Sequence, residues 1–349
     1  MVAALLSLAF VTQGASRALA AEPAHGGAAL YKKYCQPCHG ADLEGYAADN
    51  APSLVSPTFR ASASDEFLHI AIGRGRAGTA MAGYAKELGG PLTDIEIDTL
   101  IEYIRGGTNP VPLPEQHRSG SRGYGERLYH AYCESCHGTE QTRGNAVHLA
   151  NPMFLDSATD PFLRVAIEEG RPGTPMEAWQ DKLKPQEISD LVAYLRSLAR
   201  PVPAPPAVAA PAIDGTRIVL HPDGAPAILK VRDDEYVPVA ELFRAYDAEK
   251  RMVIIDARPR SDYLRSHIEG AIWIPYFDLK DLDKIPNDGT WVVVYCACPH
   301  HLSQIVFDEL RKRGYKNSAV LDEGVFEWQR FGHPMTIAPG QLPVAGPPR

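Results

Sequence analysis

The sequence predicts a multidomain chain in which two small all-α domains precede one α/β domain with a parallel sheet. Three observations predict it: an internal duplication in the first half, a proline-rich stretch after residue 200, and a switch beyond it from helical to strand-type hydrophobic periodicity. With 349 residues and 45% hydrophobic composition, the chain holds apolar material for two or three cores of ordinary size. A formal charge of -8 and the absence of any Lys/Arg block leave no basic footprint for a phosphate backbone, so nucleic acid is not an expected partner.

Taken in order, the chain opens on an apolar run, Val2 to Val11, followed by a small-residue site, Ala18-Leu19-Ala20 before Ala21. That is the layout of a secretory signal peptide over residues 1–20, with cleavage after Ala20, although no Lys or Arg precedes the run. The run is far short of the ~20 residues that span a bilayer, and no cysteine sits there for lipid attachment. No later stretch is long and apolar enough to cross, so the mature chain is expected to be soluble in the periplasm, an oxidising compartment.

The duplication comes next. Asn50-Ala51, Leu54, Pro57, Phe59, Asp65, Phe67-Leu68, Ala71-Ile72, Gly75-Arg76, Gly78-Thr79 and Met81 recur 95 residues later, from Asn145 to Met176. Each copy opens with a helical pattern leading into a cysteine pair and closes with an amphipathic helix, about Thr93 to Arg105 and Pro185 to Leu198. Thr93 before Glu96 reads as a capping box, Pro185 suits a first helical turn, and Ile95, Leu100, Ile101 and Ile104 supply the expected buried stripe.

The cysteine pairs are Cys35-Gln36-Pro37-Cys38-His39 and Cys133-Glu134-Ser135-Cys136-His137, the attachment signature of c-type haem. Two thiols form thioethers to the haem vinyl groups, and the adjacent histidine is placed to ligate iron. A redox dithiol would sit where a strand runs into a helix, whereas here a helix runs into the cysteines. Zinc would need four partners that the duplication spreads over two modules. The expected cofactors are therefore two covalently bound haem c groups, attached at Cys35, Cys38, Cys133 and Cys136, with His39 and His137 as axial ligands. The repeat singles out Met81 and Met176 as the second axial ligands, each in a Gly/Thr loop rather than on a helix stripe. Met153, aligned with Thr58, is the weaker rival, and His69, His130 and His148 lack equivalents in the other copy.

With these motifs, both modules resemble class I cytochrome c domains, over residues 24–106 and 120–199. The resemblance implies a three-helix shell around a haem whose edge exchanges electrons, and a proline after the attachment site that supports the histidine. Pro52 stands in that place in the first copy and Val147 in the second. Arg76 and Arg171, on the ligand loops, are candidates to pair with haem propionates or to lie solvated at the surface.

From Arg200 to Ala212 the chain is too proline-rich for helix or sheet and reads as an extended tether, placing a linker over residues 200–227. Beyond it, Val253-Ile254-Ile255 and Trp291 to Tyr295 alternate with helical segments such as Leu302 to Arg313, which predicts the parallel sheet. Asp256-Ala257-Arg258, Ser266-His267-Ile268-Glu269-Gly270-Ala271, Tyr295-Cys296 and Leu321-Asp322-Glu323-Gly324 before Trp328 together resemble the rhodanese family, over residues 228–338. That resemblance implies that Cys296 is a nucleophile able to hold sulfur as a persulfide. A loop between a strand and a helix start supplies N–H groups that favour a thiolate there. The loop departs from the family at Pro299, where a glycine is usual, and near His301, where a basic residue is common. Cys298 is an ordinary loop thiol, a resolving thiol for Cys296 or, with His300 and His301, part of a metal site.

The resemblances together imply electron transfer by a periplasmic dihaem c-type cytochrome, coupled to binding or transfer of sulfane sulfur. Redox proteins and small sulfur compounds are the expected partners. Two alternatives remain open on the sequence: a sulfurtransferase with auxiliary haems, and an electron carrier whose last domain is an inert docking module. The unlike sites at Pro52 and Val147 further imply two haems of different potential.

Overall fold

The computed structural model describes residues 23–46, 50–115, 118–202, 218–297, 300–339 and 341. The expected signal peptide, most of the proline-rich stretch, Cys298 and Pro299 lie outside the described residues.

The first module runs α1 (Pro23–Tyr34), α2 (Gln36–His39), α3 (Pro57–Ser62), α4 (Asp65–Arg74) and α5 (Asp94–Arg105). The second repeats it as α6 (Arg122–Tyr132), α7 (Glu134–His137), α8 (Pro152–Ser157), α9 (Asp160–Glu169) and α10 (Pro185–Ser197). In each, the opening and closing helices cross against one another. A glycine makes the crossing close: a Cβ on Gly27 would meet the Thr99 carbonyl oxygen at 2.8 Å, and one on Gly125 would run into the Asp190 carbonyl. Under the crossings lie Ile97, Leu100, Ile104, Ile188, Leu191 and Leu195, all buried, each worth roughly 1.5–3 kcal/mol over exposure; Ile97 takes the place expected for Ile95, which lies on the outer face of α5 and is exposed.

The helix starts show why these residues begin helices there. Ser64 accepts from the Phe67 N–H to start α4, and Thr159 accepts from the Phe162 N–H to start α9. The expected capping box is present at α5, where Thr93 and Glu96 bond reciprocally. At the far ends, Arg105 reaches the Ala63 carbonyl at 2.6 Å and Arg196 reaches the Ala158 carbonyl. Each closing helix thereby pins the corner between the two middle helices of its own module.

The two modules share one apolar core. α3 packs on α9 and α4 on α8, with Phe67 4.7 Å from Phe162 and 6.2 Å from Phe154 between ring centres. Reciprocal polar contacts fix the register. The Thr58 hydroxyl donates to the Gly170 carbonyl at 2.7 Å, and the Asn151 amide donates to the Ala77 carbonyl at 2.7 Å.

The C-terminal unit comprises β1 (Tyr236–Val237), α11 (Val239–Asp247), β2 (Met252–Asp256), α12 (Arg260–Arg265), β3 (Ser266–Ile268), β4 (Ile272–Trp273), β5 (Trp291–Tyr295), α13 (His301–Lys312), β6 (Ser318–Leu321), α14 (Gly324–Arg330) and β7 (Met335–Ile337). Five strands form a sheet in the order β1-β6-β5-β2-β4, with every pairing parallel, while β3 and β7 pair antiparallel beside it. β2 is buried along its whole length and β5 nearly so, because apolar cores lie on both faces.

One boundary differs from expectation. Ile218 and Ala227 are buried in this unit, and Leu220 bonds Met252 in both directions, so residues 218–227, expected in the linker, already pack with the α/β domain. Apolar side chains in the segment draw it onto the sheet edge despite its neighbouring prolines.

Candidate functional site

Three candidate sites stand out: two cysteine–histidine helical turns and Cys296 at the end of β5. In the first module α1 ends at Tyr34, and Cys35 starts the single turn of α2 that ends on His39. The Tyr31 hydroxyl holds that turn by donating to the Gly40 carbonyl at 2.7 Å, as Tyr129 does to Gly138 in the second module at 2.7 Å. No disulfide joins the described cysteines. Burial disfavours the thiolates of Cys35 and Cys133, pushing the thiols up to about 12 and about 11. A neutral thioether carries no such penalty in the same place.

The two histidines are oriented alike. His39 Nδ1 lies 3.1 Å from the Pro52 carbonyl oxygen, and His137 Nδ1 lies 2.7 Å from that of Val147. An Nδ1–H donated to a carbonyl leaves the lone pair on Nε2, the tautomer a metal requires. Burial also pushes the His137 pKa down, partly offset by its bond to Val147, which favours the neutral ring. The support is a backbone carbonyl, so a valine provides it as readily as a proline.

The ligand loops are superimposable in their bonding. The Arg76 N–H donates to Met81 O and Arg171 to Met176 O, both at 2.7 Å. The Thr79 and Thr174 hydroxyls accept from the N–H groups of Met81 and Met176, both at 3.1 Å. Gly75 and Gly170 open the loops at φ of 69° and 64°, where a side chain would strike backbone on the facing strand of the loop. Met153 is not in such a loop. It is buried between the modules, with its sulfur accepting from the Ala77 N–H at 3.3 Å. His69 lies beside Asp94 and Asp98, His130 pairs with Glu134, and His148 bonds the Thr139 carbonyl.

Arg76 and Arg171 test whether these modules suit a haem. Neither is a solvated surface cation. Arg76 lies over the Phe67 ring and bonds the Met153 carbonyl, while Arg171 lies over Phe162 and meets the Thr58 hydroxyl. Burial lowers both to about 10, and no carboxylate bonds either guanidinium among the described residues. A buried cation in that position calls for an anionic partner, and a haem propionate fits.

Cys296 follows β5 at the carboxyl end of the sheet and is buried, with Sγ 3.4 Å from the Ser303 hydroxyl on the first turn of α13. Cys296 thereby lies at the N-terminal end of α13, where the unpaired N–H groups of a helix carry partial positive charge. The loop is braced from behind: Arg258 bonds Asp256 at 2.6 Å, and the Tyr295 hydroxyl donates to the same carboxylate at 2.8 Å. Burial works against the Arg258 charge, yet Asp256 beside it holds the guanidinium above its ordinary pKa.

His300 and His301 diverge. His300, at φ of 72°, places Nε2 2.6 Å from the Asp322 carbonyl and its ring 4.4 Å from Tyr236. The His301 ring lies 5.2 Å from Tyr46 of the first module. Among the described residues no His, Cys, Asp or Glu group forms a metal cluster. The sequence reading missed Tyr276, Tyr84 and Ser261, which join the C-terminal domain to the first module. No local pattern marks them.

Comparison with known proteins assigns the domains to two families. The family described as cytochrome c oxidase, cbb3-type, subunit III matches residues 22–104 and again 123–195, and the rhodanese-like domain family matches residues 239–331. A cbb3-type cytochrome c oxidase subunit CcoP from Azospirillum sp. is 26% identical over 50% of this chain and 61% of its own length. The subunit FixP from Bradyrhizobium sp. is 26% identical over 49% of this chain and 60% of its own. The matched part thus spans about three-fifths of these relatives. A rhodanese-like domain from Anabaena superposes at a TM-score of 0.28 with 26% identity, covering 30% of this chain and 80% of that one. No helix among the described residues is long and apolar enough to cross a membrane.

Proposed function

Because this chain is two cytochrome c domains in tandem followed by a rhodanese-like domain, we propose that it is an exported dihaem electron carrier that couples electron transfer to sulfane sulfur held on Cys296. The observation that carries the reading is the twofold occurrence of one arrangement: a cysteine pair, a histidine oriented by a backbone carbonyl, and a methionine in a loop of identical bonding. Cys35, Cys38, His39 and Met81 hold the first haem, and Cys133, Cys136, His137 and Met176 hold the second. Arg76 and Arg171 neutralise the propionates. Bound there, haem supplies reversible one-electron storage.

At the third site the chain's own residues do the sulfur chemistry. The helix start of α13 stabilises the Cys296 thiolate, and Ser303 orients it. With thiosulfate, the thiolate attacks the outer sulfur, the S–S bond breaks, sulfite leaves with the electron pair, and a persulfide stays on Cys296. The apolar run and small-residue site at residues 1–20 support export to the periplasm, where c-type attachment and sulfur anions are both at home.

Stopped-flow absorbance of the oxidised protein mixed with thiosulfate, sulfide or polysulfide tests the coupling, with Cys296→Ser as control. With sulfide, whose joining to the Cys296 thiolate as a persulfide releases one proton and two electrons, cysteine-dependent haem reduction is the expected result; thiosulfate and polysulfide should load sulfur on Cys296 without reducing haem. Sulfur loading with no reduction by sulfide would leave a sulfurtransferase with auxiliary haems, and neither activity would leave an electron carrier with a docking module.

A further inference from the structure

The rhodanese-like domain follows the second cytochrome domain in sequence, meets it where Arg143 lies over the Phe326 ring, and packs its Tyr276 face on the first. The Tyr276 hydroxyl donates to the Tyr34 carbonyl at 3.0 Å and lies 3.2 Å from the Tyr84 hydroxyl, so Tyr84 is the donor between the two. Both phenols are buried, and burial pushes both well above the ordinary tyrosine range, keeping the protons that this chain of bonds needs. Ser261 donates to the Gly83 carbonyl at 2.7 Å, and the Phe277 ring stands edge-on to Tyr34 at 5.4 Å. Helix α13 packs on α2, the turn that carries the first attachment site. Cys38 and Ala80, the latter next to Met81, rest against the same core that contains Cys296.

The duplicate supplies an internal control. Tyr34 is 8% exposed, whereas its counterpart Tyr132 is 50% exposed. Cys136 and Pro175, the counterparts of Cys38 and Ala80, are exposed as well. One attachment face is covered by the Cys296 domain, and the other is open.

We propose that the first attachment site and Cys296 form one interdomain site, positioned by Tyr276, and that the haem at Cys35, Cys38 and His39 is the one that takes electrons released at Cys296. This rests on the coupling reading above. The half-reaction is the joining of the Cys296 thiolate and hydrosulfide into a persulfide, with loss of one proton and two electrons. The electrons leave singly through the first domain to the second, and an oxidised one-electron carrier protein removes them at the open face. No bond forms between the domains, so the interface need only hold distance and orientation. Tyr276 is a positioning residue.

Redox titration of the full holoprotein tests this with Tyr276→Phe, which removes one hydroxyl and keeps the ring. Met81→His and Met176→His assign the two midpoints, because imidazole in place of a thioether lowers the potential of its own haem. Tyr276→Phe should shift the midpoint of the first-domain haem and leave the second in place. Ser261→Ala with Tyr276→Phe should also speed alkylation of Cys296 several-fold, read by peptide mass spectrometry. A shift of the second-domain midpoint, or unchanged midpoints and unchanged alkylation, would overturn the shared site. Failure of the coupling reading looks different: Cys296 takes no sulfur in any variant, while the selective midpoint shift still reports on the interface.

Discussion

The two cytochrome domains arose from one pattern and differ most where that pattern meets the rest of the molecule. Inside, they are near copies: the tyrosine that holds the attachment turn, the histidine on a carbonyl and the threonine-closed methionine loop recur with matching distances. Outside, one attachment face lies under Tyr276 and Phe277, and the other presents Tyr132, Cys136 and Pro175 to solvent. The duplication therefore conserves the means of holding a haem and frees the surface to diverge. One copy faces a fixed neighbour, and the other remains available to a transient one.

Removing one haem at a time breaks that comparison with the largest effect. Cys35→Ala with Cys38→Ala, and Cys133→Ala with Cys136→Ala, should each eliminate about half of the haem absorbance. Only the first pair should also expose Cys296 to alkylation, because α2 abuts α13 whereas α7 lies on the open face. Equal exposure in both variants would show that the C-terminal domain docks without help from the first site.

The next effect is in the cores. Leu100→Ala and Leu191→Ala remove equivalent side chains that are 0% and 1% exposed, and each should cost about 2–5 kcal/mol in urea unfolding of the holoprotein. Closely matched losses are expected, since the helix crossings are the same. A clearly smaller loss at Leu100 would mean that the docked domain braces the first core.

A redox titration sharpens the comparison further. On the proposed placement, a haem held at Cys35, Cys38 and His39 would lie under the C-terminal domain in the drier site, where the extra positive charge of the oxidised iron is disfavoured. Two midpoints are expected, the higher belonging to the first domain. A titration fitted by one midpoint would remove the difference between the faces as a functional one.

Much of this was legible in the sequence because it is local. The attachment strings, the offset repeat, the box at Thr93 and Glu96 and the strand-ending Cys296 all announce themselves within a few residues. Val147 illustrates a limit: residue type at that position mattered less than a carbonyl that every residue carries. Met153 illustrates another, since its sulfur meets a loop in the other module. Tyr276 and Ser261 were illegible because their partners lie 192 and 178 residues away and each contact uses a hydroxyl that would suit many places in a protein. The start of the α/β domain was placed late because prolines dominated the reading of a segment whose Ile218 and Leu220 pack on the sheet.

The smallest effect separates the closing helices. At α5, Thr93 Oγ1 accepts from the Glu96 N–H at 3.3 Å, and the Glu96 carboxylate accepts from the Thr93 N–H at 2.8 Å. At α10 only the second half exists: Glu187 accepts from the Lys184 N–H at 2.7 Å, and a lysine ammonium has no acceptor to return. Thr93→Ala should therefore cost about 1 kcal/mol, while Lys184→Thr should gain a similar or smaller amount. Acid sharpens the test. The bonds from the Thr93 backbone and hydroxyl hold the Glu96 carboxyl below its ordinary 4.5. A lowered carboxyl pKa means stability present above the ordinary value and lost as pH falls through the lowered one. Thermal unfolding at neutral pH and at about pH 3 should show the Thr93→Ala penalty shrinking in acid, as protonation of Glu96 weakens the intact box in the parent protein. A penalty that stays constant would mean that the two halves of the box act independently.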